Sequence, residues 1–501
     1  MLHRVLASIP PAPALRPAAV GAGAKTASCP ERTMMTTRRE LLAGLLSAGT
    51  AGTLGGLALG AAGGPAAAAG PFGGYVMGYF TESPNRLANN YGLHLAVSTD
   101  ALNWVPLNQN NPVVTPTAGT GGLRDPFILR KQNDQFVVVA TDLAGTDFTQ
   151  PNQFIHVWDS VDLRSFTGYR RVRMHTMNTH TWAPEAFWDA ARGQYAIIYS
   201  AFNGTRDVTM VNYTTDFVTV SAAQVFFDPG FNVLDATMHL GGGTNYLYYK
   251  NLVNGRLYGA RSNTLNPGSF NSGIYTAGVV NGGIEAPIVV KAYDRNEWWL
   301  WGDSYGPVNG EFYTWRSGNL NADSWSLLTK AQYTQPLNSK HATIAPITAA
   351  ERTNLLARWG VPTWNRIKSF NLPDRLIRHA NNAGRIDPYP FDPYPDSQWR
   401  LRPGLAAASG VSFESVNFPG RYLRHSNYVV GLAVNDGTAL FAADATFYAV
   451  PGLADASLTS WRSHNFPDRH LRHANFVLRI DPINAGSPAV DRADATFQIS
   501  Y

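Results

Sequence analysis

Cysteine is all but missing: the 501 residues hold one, Cys29. A disulfide framework is therefore excluded. Charge is scarce as well, at 15% against 45% hydrophobic residues, a balance that excludes a disordered chain and suffices for two folded domains of ordinary size. The net charge of +5 points to nucleic acid only until the charges are located. Residues 1–69 carry six Lys/Arg and two acids, which leaves 34 basic and 33 acidic residues in the rest. The basic excess belongs to the N-terminal segment, and a nucleic-acid partner loses its main support. Helical periodicity is nearly absent from residue 75 onward. In its place stand 46 Gly, 32 Pro and 12% aromatic residues, in short aromatic or β-branched runs broken by Gly, Asn and Asp. That pattern predicts an all-β protein.

The N-terminal segment reads as a leader. Thr37-Arg38-Arg39-Glu40-Leu41-Leu42 opens a weakly apolar stretch that ends in Ala66–Ala69, a small-residue cleavage pattern. It resembles a twin-arginine export signal. So much Gly and Ala makes a poor membrane-spanning helix, so a cleaved signal is expected rather than an anchor. Translation is expected to start at Met34 or Met35, after Cys29, so that the secreted form has no thiol chemistry and no membrane segment.

Two repeats organise the remainder. Strand-like runs occur at Tyr75–Tyr79, Phe136–Ala140, Tyr195–Tyr199, Tyr246–Tyr249 and Trp298–Trp301. Each is followed by a Ser/Thr turn: Ser98–Trp104, Ser160–Phe166, Thr214–Val220, Ser262–Phe270 and Ser317–Trp325. The spacing is that of a four-stranded propeller blade, and five copies predict five blades. After Trp364 the period shortens. Ser369–His379 returns as Ser415–His425 and Ser463–His473, each trailed by an Asp motif at Asp396–Trp399, Asp444–Phe447 and Asp494–Phe497. Three such repeats predict a β-trefoil, with a leader at 1–69, a propeller at 70–362 and the trefoil at 363–501.

The innermost strand of each blade lines the propeller axis, and the positions expected there read Arg124–Ile128, Trp182–Glu185, Val233–Thr237, Ile284–Ile288 and Lys340–Ile344. Asp125, Glu185, Asp235, Glu285 and His341 recur at blade spacing, which solvated surface charge does not explain. Taken in order, these motifs resemble glycoside hydrolase family 43. The trefoil resembles the arabinofuranose-binding modules of carbohydrate-binding family 42.

The first resemblance implies an inverting hydrolase with Asp125 as general base, Glu285 as general acid, and Asp235 as the carboxylate that orients the acid and keeps its pKa high. Inversion uses one carboxylate to activate water and one carboxylic acid to protonate the leaving oxygen, and a third negative charge favours the protonated form. Trp182 and Glu185 are expected to contact or back the substrate. His341 matches an axial histidine that binds water or sits near a structural calcium ion; no cofactor is required. The second resemblance implies that His379 with Asp396, His425 with Asp444, and His473 with Asp494 contact arabinose hydroxyls. The competing reading is that these residues tie the lobes together. The first lobe departs most from the pattern, with a Pro-rich insert at Tyr389–Pro395.

The function so implied is a secreted, monomeric, exo-acting α-L-arabinofuranosidase on arabinose-containing plant cell-wall polysaccharide. A β-xylosidase or galactan-directed hydrolase would share the motifs, and a non-catalytic lectin would share the fold.

Overall fold

The computed structural model describes residues 72–82, 90–275, 283–305, 309–322 and 324–501. The expected leader lies outside the described residues. Five four-stranded antiparallel sheets form a propeller. Blade 1 comprises Leu123–Arg130, Phe136–Asp142, Phe154–Ser160 and Thr167–Arg173, and blades 2 to 4 repeat that order with inner strands Trp182–Asp189, Val233–His239 and Ile284–Lys291. Blade 5 closes the ring by pairing its inner strand, Ser339–Thr348, with the first described strand, Phe72–Thr81.

The continuous apolar runs of the sequence are the second strands of the blades. They do not alternate apolar with polar because both faces are buried. In blade 1, Phe136, Val138 and Ala140 pack toward blade 5 with Phe80, Leu95 and Ala345, whereas Val137 and Val139 pack toward blade 2 with Ile197 and Tyr199. The same division holds for Leu247 and Tyr249 against Tyr246 and Tyr248 in blade 3. Each fully buried side chain of this size contributes about 1.5–3 kcal/mol. The Ser/Thr turns follow the third strands. Ser160 Oγ accepts from Leu163 N–H at 2.8 Å and Thr214 Oγ1 from Phe217 N–H at 2.9 Å, which holds the buried Leu163 and Phe217 in positive-φ turns.

Three helices among the described residues depart from the all-β expectation, two short ones in the trefoil at Ala439–Asp444 and Ala489–Asp494 and a longer one at Ala349–Trp359. Thr348 and Glu351 form a reciprocal capping box at its start, and Glu351 also pairs with Arg130 of blade 1 at 2.8 Å.

The second domain is a trefoil of twelve strands, from Arg366–Ser369 to Phe497–Ser500, which pair with each other and close its barrel. Equivalent residues of the three lobes fill one core, with Ile367, Phe413 and Trp461 as one set and Trp399, Phe447 and Phe497 as another. The first lobe rests on the propeller: Arg366 donates to Gln335 O, Lys368 Nζ donates to Tyr333 O at 3.1 Å, and the Tyr389 hydroxyl donates to Asn338. Through Tyr389 the Pro-rich insert of this lobe meets the propeller.

Candidate active site

Every inner strand carries one bulge near its start. The register slips between Arg124 and Phe127, Trp182 and Glu185, Leu234 and Thr237, Glu285 and Ile288, and on Lys340–Thr343 where it faces Phe80 and Gly78. The first bulged residue has positive φ in each case: Asp125 (50°), Ala183 (49°), Asp235 (54°), Ala286 (53°) and His341 (29°). This corrects the register read from sequence. Asp125, Asp235 and His341 are equivalent, Glu285 stands one residue before the bulge and Glu185 two after it. A bulge turns side chains away from simple alternation, so equal spacing alone did not identify equal positions.

A second ring supports the first. The residues opposite the pre-bulge positions are Thr141, Ser200, Lys250 and Asp303, and each reaches the next blade. Thr141 Oγ1 accepts the Ala183 N–H at 2.9 Å, Ser200 Oγ accepts the Asp235 N–H at 3.0 Å, and Lys250 Nζ donates to Glu285 Oε2 at 2.9 Å. Asp303 Oδ2 is 3.4 Å from Lys340 Nζ. The sequence reading missed this ring, although its four members follow four of the five strand-like runs directly or after one residue.

The three expected carboxylates come together at the axis. Asp125 Oδ1 is 3.0 Å from His341 Nδ1, and Asp125 Oδ2 accepts from Thr141 Oγ1 at 2.8 Å. Burial works against the Asp125 anion, but His341, that hydrogen bond and Arg124 outweigh it and hold the carboxyl at about 2. His341 answers in the other direction: burial would lower it, but Asp125 and the neighbouring Asp235 push it to about 10. Asp235 Oδ2 accepts the Ala286 N–H at 3.2 Å. Burial raises the Asp235 carboxyl, with further upward pressure from Glu285 and Asp125.

Glu285 differs from expectation. Burial and the adjacent carboxylate act upward, but Lys250 and Lys340, the latter 3.4 Å from Oε1, hold Glu285 below the usual range. Lys340 is itself fixed by Asp303 and by Asn309 Oδ1 at 2.7 Å. Burial pushes Asp303 up to about 6. Glu185 is buried against the inner strand of blade 3, where its Oε2 accepts the Met238 N–H at 3.2 Å, and burial pushes it up to about 8. Trp182 is stacked on His180 with ring centroids 3.8 Å apart and meets Phe148 in a T-shaped pair. Among the described residues no three His, Cys, Asp or Glu side chains are grouped to hold a metal ion. His341 commits Nδ1 to Asp125.

In the trefoil each expected pair is shared with the next lobe. His379 Nε2 is 3.1 Å from Asn417 Oδ1, and Asn417 donates to Asp396 Oδ1 at 2.8 Å. His425 and Asp444 meet Asn465, and His473 and Asp494 meet Asn371, in the same way. All six residues are buried, and the contacts tie the lobes together. The clusters are unequal: Arg378 and Arg472 bind the Oδ2 of Asp396 and Asp494 at 2.6 Å, whereas Arg424 stays 4.0 Å from Asp444 Oδ2.

Residues 70–353 match the family described as probable glycosyl hydrolase domain, related to family 43, and residues 365–499 match the alpha-L-arabinofuranosidase B domain. An alpha-L-arabinofuranosidase of Bifidobacterium longum subsp. longum is 32% identical over 174 residues, which span 29% of this chain and 16% of that protein. Alpha-L-arabinofuranosidase B of Emericella nidulans is 58% identical over 55 residues, 10% of this chain and 11% of its own. The chain thus spans less than a fifth of either relative. A solved exo-beta-1,3-galactanase from Clostridium thermocellum aligns with 77% of this chain and 99% of its own at 13% identity and a TM-score of 0.37. No helix among the described residues is long and apolar enough to cross a membrane.

Proposed function

The chain belongs to the probable glycosyl hydrolases related to family 43, and from that premise we propose that it is an inverting, exo-acting α-L-arabinofuranosidase that trims arabinan or arabinoxylan. The propeller is its catalytic domain and the trefoil, divided from it near residue 362, holds the polymer. The arabinofuranosidase names of its relatives and the match of residues 365–499 support arabinose as the sugar. Export through the twin-arginine-type leader, and action as a monomer, belong to the same proposal.

In this reading Asp125 takes a proton from the water that attacks the anomeric carbon, while Glu285 protonates the departing glycosidic oxygen. Asp235 orients Glu285. The observation that carries the reading is electrostatic: Asp125 lies in one buried cluster with Asp235 and Glu285, and its partners keep it ionised, as a base must be.

A second assignment of the acid is favoured by one observation. Glu185 is held at about 8 and so remains protonated at neutral pH, whereas two lysines favour the Glu285 anion. Kinetics separate the two. Glu285→Gln is expected to cripple release of alkoxide-like leaving groups and to spare a good aryl leaving group, which needs less protonation, while Glu185→Gln treats both alike. Product analysis on debranched arabinan, arabinoxylan and xylo-oligosaccharides tests the substrate. Free arabinose, released first as the inverted anomer, is expected. Release of xylose alone would transfer the chain to the β-xylosidase reading, and no turnover at all would leave a lectin.

A further inference from the structure

A cavity of about 180 Å³ lies between blade 5 and the first trefoil lobe. That is smaller than the about 300–1,000 Å³ of sites for drug-sized ligands and on the scale of a single sugar ring. Among the described residues that line it, six of ten bear carboxamides and none bears a charge. Part of the wall is fixed by the fold. Asn110 accepts from the Tyr79 hydroxyl at 2.6 Å and donates to Leu337 O at 3.1 Å, and the Gln109 carboxamide bridges Val361 and Thr363.

The facing wall is different. Trp364, Tyr394 and Gln398 bring an indole N–H, a phenol and a carboxamide that take no side-chain hydrogen-bond partner among the described residues. Trp364 and Gln398 are only 8% and 7% exposed, and both line the cavity. Their polar atoms stay accessible and open to a hydrogen-bonding partner. Uncharged walls give nothing to a phosphate, a carboxylate or a metal ion. Amides that both donate and accept, beside aromatic faces, match a neutral polyhydroxylated ring. Two of its residues are close in sequence to the axial cluster: Thr81 precedes Glu82, which pairs with Arg124, and Asn338 lies two residues before Lys340.

We propose that this interdomain cavity is a subsite for one uncharged pentose unit of the polysaccharide, separate from the three His–Asp clusters of the trefoil. The identity of the pentose rests on the arabinoside reading; the neutral-sugar chemistry of the cavity does not.

The test uses the full chain carrying Glu285→Gln, to stop turnover, titrated calorimetrically with arabinotriose and, in parallel, xylotriose. Adding Tyr394→Phe or Gln398→Ala is expected to weaken one binding event about three- to tenfold, the effect of one lost hydrogen bond, with an unchanged melting temperature. Crystals soaked with arabinotriose should show a ring against Trp364. Isotherms identical to the parent for both variants, or a ring seen at crystal concentration only, would overturn the subsite. Xylotriose bound in the cavity with arabinotriose excluded would keep the subsite and contradict the arabinoside reading instead.

Discussion

At the scale of single residues, the axial cluster is a contest between burial and specific partners. Burial is the largest influence on Asp125, Asp235, Glu185 and Glu285 alike, and it favours the protonated form of each. Partners reverse it only where a cation or donor sits within contact, as His341 does for Asp125 and Lys250 for Glu285. Two outcomes follow from this. If Glu285 is the acid, Lys250→Met removes its nearest cation and raises its pKa, so the alkaline limb of the kcat/KM profile, where the acid is lost, should move up by on the order of 1 pH unit. An unmoved limb would show that Lys250 does not govern the acid. The second outcome concerns stability. Glu185 has a folded pKa of about 8 against 4.5 unperturbed. Between those values the unfolded chain has released the proton that the folded chain keeps, so stability falls as pH rises through this window. Glu185→Gln has no proton to keep. Its melting temperature should match or trail wild type near pH 4 and overtake it toward pH 8, and a difference independent of pH would contradict the buried-acid assignment.

At the scale of elements, the bulges decide what the sequence could disclose. The five-fold pitch of the second strands and their turns was legible because each blade must bury the same apolar run on both faces. The lobes were legible for a similar reason, since the equivalent residues Ile367, Phe413 and Trp461 are buried in one core. The axial register was only partly legible: a bulge inserts one residue, and no residue type marks it, as Asp, Ala and His all occupy the positive-φ position. The helix at Ala349–Trp359 was announced only by its capping box, and the second ring of Thr141, Ser200, Lys250 and Asp303 by nothing but its place after the runs. The bulge geometry has a direct test. Ala286 combines φ 53° with full burial, and its N–H holds Asp235. Ala286→Val should cost about 1–3 kcal/mol in a chemical denaturation experiment, because a β-branched residue is strained there and overpacked, and it should lower kcat as well. Ala286→Gly should cost far less, since glycine adopts that φ freely.

At the scale of the whole molecule, the proposed function gives the two domains one task. The His–Asp clusters tie the lobes of the trefoil together, and the same residues are the ones proposed to meet arabinose, so their variants must be read by stability and binding together. Asp494 holds both Asn371 and Arg472, while Asp444 holds Asn465 with Arg424 4.0 Å away. Asp494→Ala should therefore destabilise more, by about 1–3 kcal/mol for lost charged hydrogen bonds. Asp444→Ala should weaken binding to arabinose-bearing polymer with a smaller loss of melting temperature. Equal stability losses without any loss of binding would leave these clusters with a structural role alone. The claim on which all else depends is that the propeller axis hydrolyses arabinofuranosides through Asp125. The direct measurement is kcat/KM of wild type and Asp125→Asn on an aryl α-L-arabinofuranoside and on arabinan. The variant should lose on the order of 10²–10⁴ fold on both substrates, the usual contribution of a general base, while remaining folded. Activity of Asp125→Asn close to wild type on either substrate would contradict the account.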